Sequence, residues 1–279
     1  NIFFPKSQLN YAENLLKKKN NEIAINFLSE SSLKKEISWR ELYVKVCKFS
    51  YYLKNINIHV VGDTIVDSYT RTNLIGGNTK TPTPSVLFQE KNDYIGGAGI
   101  VAKHLKSAGA NVTFTTILGN DDLKDFVIDD LKKSNIKLNT IIDDTRPTTN
   151  KNTILSDVYK LLKVDKVDNQ PISEKNLNKI KFFIRKIKCD AIIFSDFRHG
   201  IFNKTSIPEL IKSIKKGVFK VADSQVATRW GNITDFKNFD LITPNEKEAR
   251  FSLADQDSSI SVLTRELVKL TKFKNLILK

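Results

Sequence analysis

The 279-residue sequence contains no methionine, only two cysteines and only three histidines. Cys47 and Cys189 lie far apart, which excludes a disulfide framework and a multi-cysteine zinc site. Each reads as a small buried apolar residue in a reducing cytosol. His59, His104 and His199 have no metal-ligand spacing, and His104 reads as a helix-face residue. No apolar run approaches the roughly 18 residues of a membrane span. The opening, NIFFPKSQLNYAEN, has no basic stretch followed by an apolar one, so no secretory signal is expected. An opening without methionine reads as a piece of a longer chain, cut at its front and open to continuation at its back. Neither G-x-x-x-x-G-K-[ST] nor G-x-S-x-G occurs, which leaves P-loop and nucleophile-elbow chemistry without support.

What is present is ordinary globular composition, with 40% hydrophobic and 27% charged residues. Forty-five Lys and Arg against 31 Asp and Glu leave a net charge of +14. The short runs Lys17–Lys18–Lys19, Lys132–Lys133 and Lys215–Lys216 are scattered and carry no interleaved aromatics. They read as solvated faces and not as a nucleic-acid footprint, although such a field favours anionic small molecules.

Residues 1–56 differ from the rest. A helix is predicted over 10–19 and a strand over 22–28. Ser38-Trp39-Arg40-Glu41 has the form of a capping box, opening a helix with Leu42, Val46, Phe49 and Leu53 on one face. From residue 58 onward, short apolar strands alternate with amphipathic helices. Strands are predicted at 58–61, 112–118, 136–142, 191–194, 218–222, 241–243 and 275–278. Helices are predicted at 99–108, 122–133, 205–215, 246–253 and 261–270. This is the pattern of an α/β fold, a doubly wound, mostly parallel sheet. Residues 68–94 and 152–167 interrupt it with alternating polar stretches, expected to form a small β lid.

In such sheets ligands sit beyond the carboxyl ends of the strands. Acids collect there: Asp63 and Asp67 after Val60-Val61-Gly62, Asp196 after Phe194-Ser195, Asp223 after Ala222, and Asn245 to Glu248 after Thr243. Asp121 and Asp122 read as a helix cap. The other carboxylates suit hydroxyl-rich ligands or a Mg²⁺ carried with phosphates. Gly97-Ala98-Gly99-Ile100-Val101-Ala102 matches G-x-G-x-x-A, but the turn after the first strand holds Gly62-Asp63, whose acid would repel a pyrophosphate. A glycine pair, Gly96 and Gly97, letting backbone approach a sugar is the better reading.

The strings VVGDTIVDSYT (60–70), IGGAGIVAKHLKSAGANV (95–112), LGNDD (118–122), RPTTNK (146–151), AIIFSDFRHG (191–200) and LITPNEKE (241–248) resemble the PfkB/ribokinase family of sugar kinases. The likeness is greatest to heptose-7-phosphate kinase domains. It implies a ribokinase-like fold over 57–279 and ATP-dependent phosphorylation of a sugar or sugar phosphate, with ATP and Mg²⁺. It implies that Asp63, Asp67, Gly96, Gly97, Lys151 and Asp196 bind the sugar. Asn245, Glu248 and Asp223 would serve the nucleotide, with Glu248 toward the metal. It also implies a cytoplasmic enzyme, a small-molecule partner, neither nucleic acid nor membrane, and a homodimer through the lid. Ile100, Thr153 and His199 stand where the family often has Asn, Arg and Lys.

The family's G-A-G-D element, whose Asp is the general base, does not occur in the 279 residues, so no catalytic residue is assigned and the chain is expected to be inactive as it stands. FPKSQLNYAENLL and ISWRELYVKVCKFSYYL, within residues 1–56, resemble the N-terminal segment of acetoacetyl-CoA-synthetase-like acyl-CoA ligases, a short α+β segment ahead of the kinase. A non-catalytic sugar-binding module and a fragment of an acyl-CoA ligase remain the alternatives.

Overall fold

Seven parallel strands running through one unit bring the acids of the strand ends to a common edge. The computed structural model describes residues 16–28, 34–76, 83–225 and 233–279. The chain divides into two compact units, Asn1–Asn55 and Ile56–Lys279.

In the first unit, β1 (Ile23–Leu28) pairs antiparallel with β2 (Lys34–Ser38), and α1 (Trp39–Leu53) follows directly. Ser38 caps α1 reciprocally: its hydroxyl accepts from the Glu41 amide at 3.2 Å, and its own amide donates to the Glu41 carboxylate at 2.9 Å. Leu53 is buried and Leu42 and Val46 half-buried, but Phe49, expected on the same face, is 62% exposed. Of the helix predicted over 10–19, residues 10–15 lie outside the described residues and 16–19 are not helical.

The second unit is built on the strands β3 (Asn57–Gly62), β6 (Asn111–Gly119), β7 (Lys137–Asp143), β10 (Ala191–Asp196), β11 (Phe219–Ser224), β12 (Leu241–Ile242) and β13 (Asn275–Leu276). They form one sheet of order β13-β12-β11-β10-β3-β6-β7, parallel throughout. The connecting helices are α2 (Gly97–Ser107), α3 (Asp122–Lys133), α4 (Glu174–Lys186), α5 (Ser206–Lys212), α6 (Glu246–Leu253) and α7 (Ile260–Thr271). The strands are apolar because both faces are covered. Phe194, Phe202, Phe236 and Phe239 form the centre of the core, with ring centroids 5.2–5.9 Å apart. The lid stands apart as four strands, β4 (Thr64–Gly76), β5 (Ser85–Gly96), β8 (Asn150–Ser156) and β9 (Tyr159–Lys166), in the order β5-β4-β8-β9.

Helix α4 was not among the predicted elements, although its signals are local. Ser173 caps it through the Asn176 amide at 3.3 Å, and Leu177, Ile180 and Ile184 recur at helical spacing. The cysteine expectation is corrected: Cys47 is exposed, because position 47 falls off the Leu42–Val46–Leu53 stripe, and Cys189 is only half-buried. Burial nevertheless pushes the Cys189 thiol up, helped by Asp190. His104 does lie exposed on α2.

Candidate active site

Strand β3 has β6 on one side and β10 on the other, so the chain reverses its winding direction there and opens a crevice at the carboxyl edge. Asp63 follows β3 directly and is 3% exposed. Its Oδ2 accepts from the amides of Phe197 at 3.0 Å and His199 at 3.2 Å. Asp196, at the end of β10 and wholly buried, takes the amide between them. Its Oδ1 accepts from Arg198 N at 2.8 Å, and its Oδ2 from the Arg198 guanidinium at 2.9 Å and Ser224 Oγ at 2.8 Å. Two acids from adjacent strands thus grip three successive amides of one turn. Burial, together with the nearby Asp196 charge, pushes the Asp63 carboxyl up to about 7; burial raises Asp196 as well. Asp196 therefore pins the turn with both oxygens engaged by the protein.

The turn is closed by Gly200, whose φ of +105° favours glycine and where a Cβ would meet the Gln170 carbonyl and the Arg146 side chain. Arg146, which the sequence reading did not single out, is buried here. Its Nε lies 3.2 Å from Asp143 Oδ2, and its other nitrogens donate to the carbonyls of His199 at 3.2 Å and Gln170 at 3.2 Å. Its signals in the sequence are its place at the head of RPTTNK and an Asp three residues before it, after an apolar strand.

Asp67 lies four residues beyond Asp63, on β4 of the lid. Register places Lys151 of β8 directly beside it, and Lys151 in turn opposite Asp165 of β9. Burial raises the Asp67 carboxyl, while Lys151 and Lys163 pull it back. Asp67, Tyr69, Lys151, Thr153, Lys160 and Lys163 line a cavity of about 380 Å³, large enough for a small polar ligand. Gly96 and Gly97 do not line this cavity but pack against the protein's own chain. A Cβ on Gly96 would strike the Asp67 carboxylate; one on Gly97, at φ +57°, would strike the Asp63 carbonyl. What these glycines admit is the β3–β4 connection, and Ala98 N donates to the Asp63 carbonyl at 2.9 Å.

The remaining predicted residues lie farther along the same edge. Asp223 Oδ1 accepts from Thr243 Oγ1 and from Lys279 Nζ, both at 2.8 Å. Asn245 caps α6 in a reciprocal box: its Oδ1 accepts from Glu248 N and its amide donates to Glu248 Oε2, both at 2.8 Å. The box orients a nearly buried carboxylate at a helix N-terminus, where anions are favoured. Among the described residues no group of three or more His, Cys, Asp or Glu is placed to hold a metal. A Mg²⁺ that arrives on nucleotide phosphates and keeps its waters needs only one or two carboxylates, and Glu248 fits that smaller demand. Asp121 caps α3 as expected, and its second oxygen accepts from Thr148 N at 2.9 Å.

Comparison with known proteins bears on the family and the fold. The bifunctional protein HldE of Sulfurimonas denitrificans is 26% identical over 226 residues, covering 78% of this chain and 46% of that protein. HldE of Desulfatibacillum aliphaticivorans is 27% identical over 217 residues, covering 76% and 43%. The chain thus spans less than half the length of these relatives. Among solved structures, phosphofructokinase-2 of Escherichia coli in its tetrameric inhibited form has a TM-score of 0.65 at 16% identity, covering 80% of this chain and 73% of that one. The ribokinase of Arabidopsis thaliana, complexed with ribose and ATP, has a TM-score of 0.57 at 15% identity, covering 80% and 72%. Such identities establish the ribokinase-like fold alone. Residues 55–278 match the model of the pfkB family of carbohydrate kinases, and the chain belongs to that family.

Proposed function

We propose that the second unit phosphorylates a hydroxyl of a sugar or sugar phosphate at the expense of ATP, with a heptose 7-phosphate as the substrate type. The observation that carries this reading is the lid cavity of about 380 Å³, which sets the Asp67 carboxylate beside Lys151 and Lys163. The carboxylate accepts from hydroxyls and the ammonium groups meet a phosphate. Asp63 lies behind it at the turn, while Asp223, Asn245 and Glu248 serve the nucleotide side, Glu248 toward Mg²⁺. ATP supplies the phosphoryl group, and the protein's part is positioning and charge stabilisation. Dependence on ATP supports a cytoplasmic enzyme. Among the described residues no helix is long and apolar enough to cross a membrane.

The absence of G-A-G-D within residues 1–279 supports a further part of this reading: these residues alone bind sugar and turn it over at a negligible rate. A positioned base contributes about 10²–10⁴-fold and a set of oxyanion donors about 10²–10³. Losing both lowers turnover by roughly 10⁴–10⁷, less if the two act as a unit. A coupled ADP-release assay with heptose 7-phosphate and common hexoses tests this, run beside a longer chain that carries the element. Equal turnover by the two chains refutes it. Measurable sugar binding with no transfer by either chain supports a non-catalytic sugar-binding module instead.

Two further readings belong here. The first unit lies almost wholly outside the family match and is proposed to derive from an acyl-CoA ligase N-terminus, on the strings quoted above. The lid is proposed to pair with the lid of a second copy: Leu74, Leu87, Phe88 and Leu162 are each more than half exposed, and β9 is exposed along its whole length.

A further inference from the structure

The side chain of His199 is left without a complete set of partners. The residue is 9% exposed, and its ring nitrogen Nε2 is buried with no hydrogen-bond partner. A buried polar atom in that condition is costly unless something meets it. The other nitrogen is accounted for: Nδ1 lies 2.8 Å from Asn169 Oδ1. An amide oxygen accepts, so Nδ1 carries the proton and Nε2 presents a lone pair. The ring is fixed in place from behind, since Asp63 holds the His199 amide and Arg146 its carbonyl. Burial, with the charge of Lys151 added, pushes the imidazole down to about 4, so it is a neutral acceptor.

Position relates this acceptor to the sugar site. His199 lines a cavity of about 10 Å³ with Asp63, Thr64, Thr149 and Asp168. That space is too small for a sugar ring and about the size of one oxygen atom. Two of its lining residues lead into the strands of the sugar site: Thr64 opens β4, three residues before Asp67, and Thr149 stands two residues before Lys151, its carbonyl accepting from Val66 N at 2.8 Å. We propose that His199 Nε2 accepts a hydrogen bond from one hydroxyl of the sugar held over Asp67 and Lys151, and so selects substrates that carry a donor at that position. The inference rests on the sugar-kinase reading above and adds to it a specificity-determining residue. A neutral acceptor without a proton favours a hydroxyl there and disfavours a carboxylate or phosphate oxygen.

Calorimetry with heptose 7-phosphate and its monodeoxy analogues tests the assignment on the full 279-residue chain. For a neutral hydrogen bond, one analogue is expected to bind the unaltered protein on the order of 3- to 10-fold more weakly than the parent. His199→Leu should bind the parent and that analogue equally, while His199→Gln, which keeps an acceptor, should retain part of the difference. A ¹⁵N spectrum of the unaltered protein reads the same contact without substitution: the Nε2 resonance should shift when heptose 7-phosphate saturates the site. Undiminished discrimination in a folded His199→Leu, or an Nε2 resonance unmoved at saturation, overturns the inference and leaves the sugar reading standing. Failure of the unaltered chain to bind any of these sugars overturns both.

Discussion

Replacing Asp63 by asparagine probes the buried acid pair through the pH dependence of stability. In the folded chain burial and the Asp196 charge push Asp63 from the ordinary 3.8 up to about 7. A carboxyl raised on folding holds its proton in the native state at pH values where the unfolded chain has released it. Its contribution is therefore full below pH 3.8 and is lost as pH rises through 7. Between about pH 5 and about pH 8 the loss comes to roughly 2–3 kcal/mol. Two histidines slope the other way. His59 and His199 are lowered from 6.5 to about 4 by burial, so the stability they permit is present above 6.5 and lost as pH falls. Over that range each histidine returns about 2 kcal/mol, so the pair outweighs Asp63 and the unaltered chain should gain a little stability with rising pH. The carboxamide of Asp63→Asn would keep an oxygen for the amides of Phe197 and His199 but carry no charge, and it would relieve Asp196 of its neighbour. The variant should thus gain at least about 2 kcal/mol relative to the parent on going from about pH 5 to about pH 8. Urea unfolding of both proteins at the two pH values measures this. Parallel pH profiles would refute the buried-pair argument, whatever constant offset the substitution introduces.

Asp67→Ala should weaken sugar binding roughly tenfold or more, since a bond to a charged acceptor is worth about 1.5–3 kcal/mol; equal calorimetric affinity for heptose 7-phosphate would remove Asp67 from the site. Arg146→Met should destabilise the chain by about 3–5 kcal/mol, because it strands a nearly buried Asp143 and the carbonyls of His199 and Gln170. An unchanged urea midpoint would show that the pair contributes nothing. Phe88→Glu on the exposed lid should shift a dimer to monomer in sedimentation, and a parent chain that is monomeric at high concentration would end the lid-pairing proposal.

Much of the architecture was legible before any coordinates. The alternation of apolar strands with amphipathic helices, and the caps at Ser38 and Asp121, are local properties, set by side-chain period and by one residue's reach to an amide three positions on. The acids at the strand ends were legible for the same reason, because parallel strands all end on one edge. What each acid does was decided by sheet order. Phe197 donates to Asp63 across 134 residues, a contact that exists only because β3 lies beside β10. The same turn holds Asp196 inward, sets Arg146 against the His199 carbonyl and leaves one nitrogen of His199 buried without a hydrogen-bond partner. The sequence alone determined which residues stand at the edge. Only the tertiary structure decided which are engaged by the protein and which are left without a protein partner, because hydrogen-bond satisfaction in a buried site depends on partners far apart in the chain.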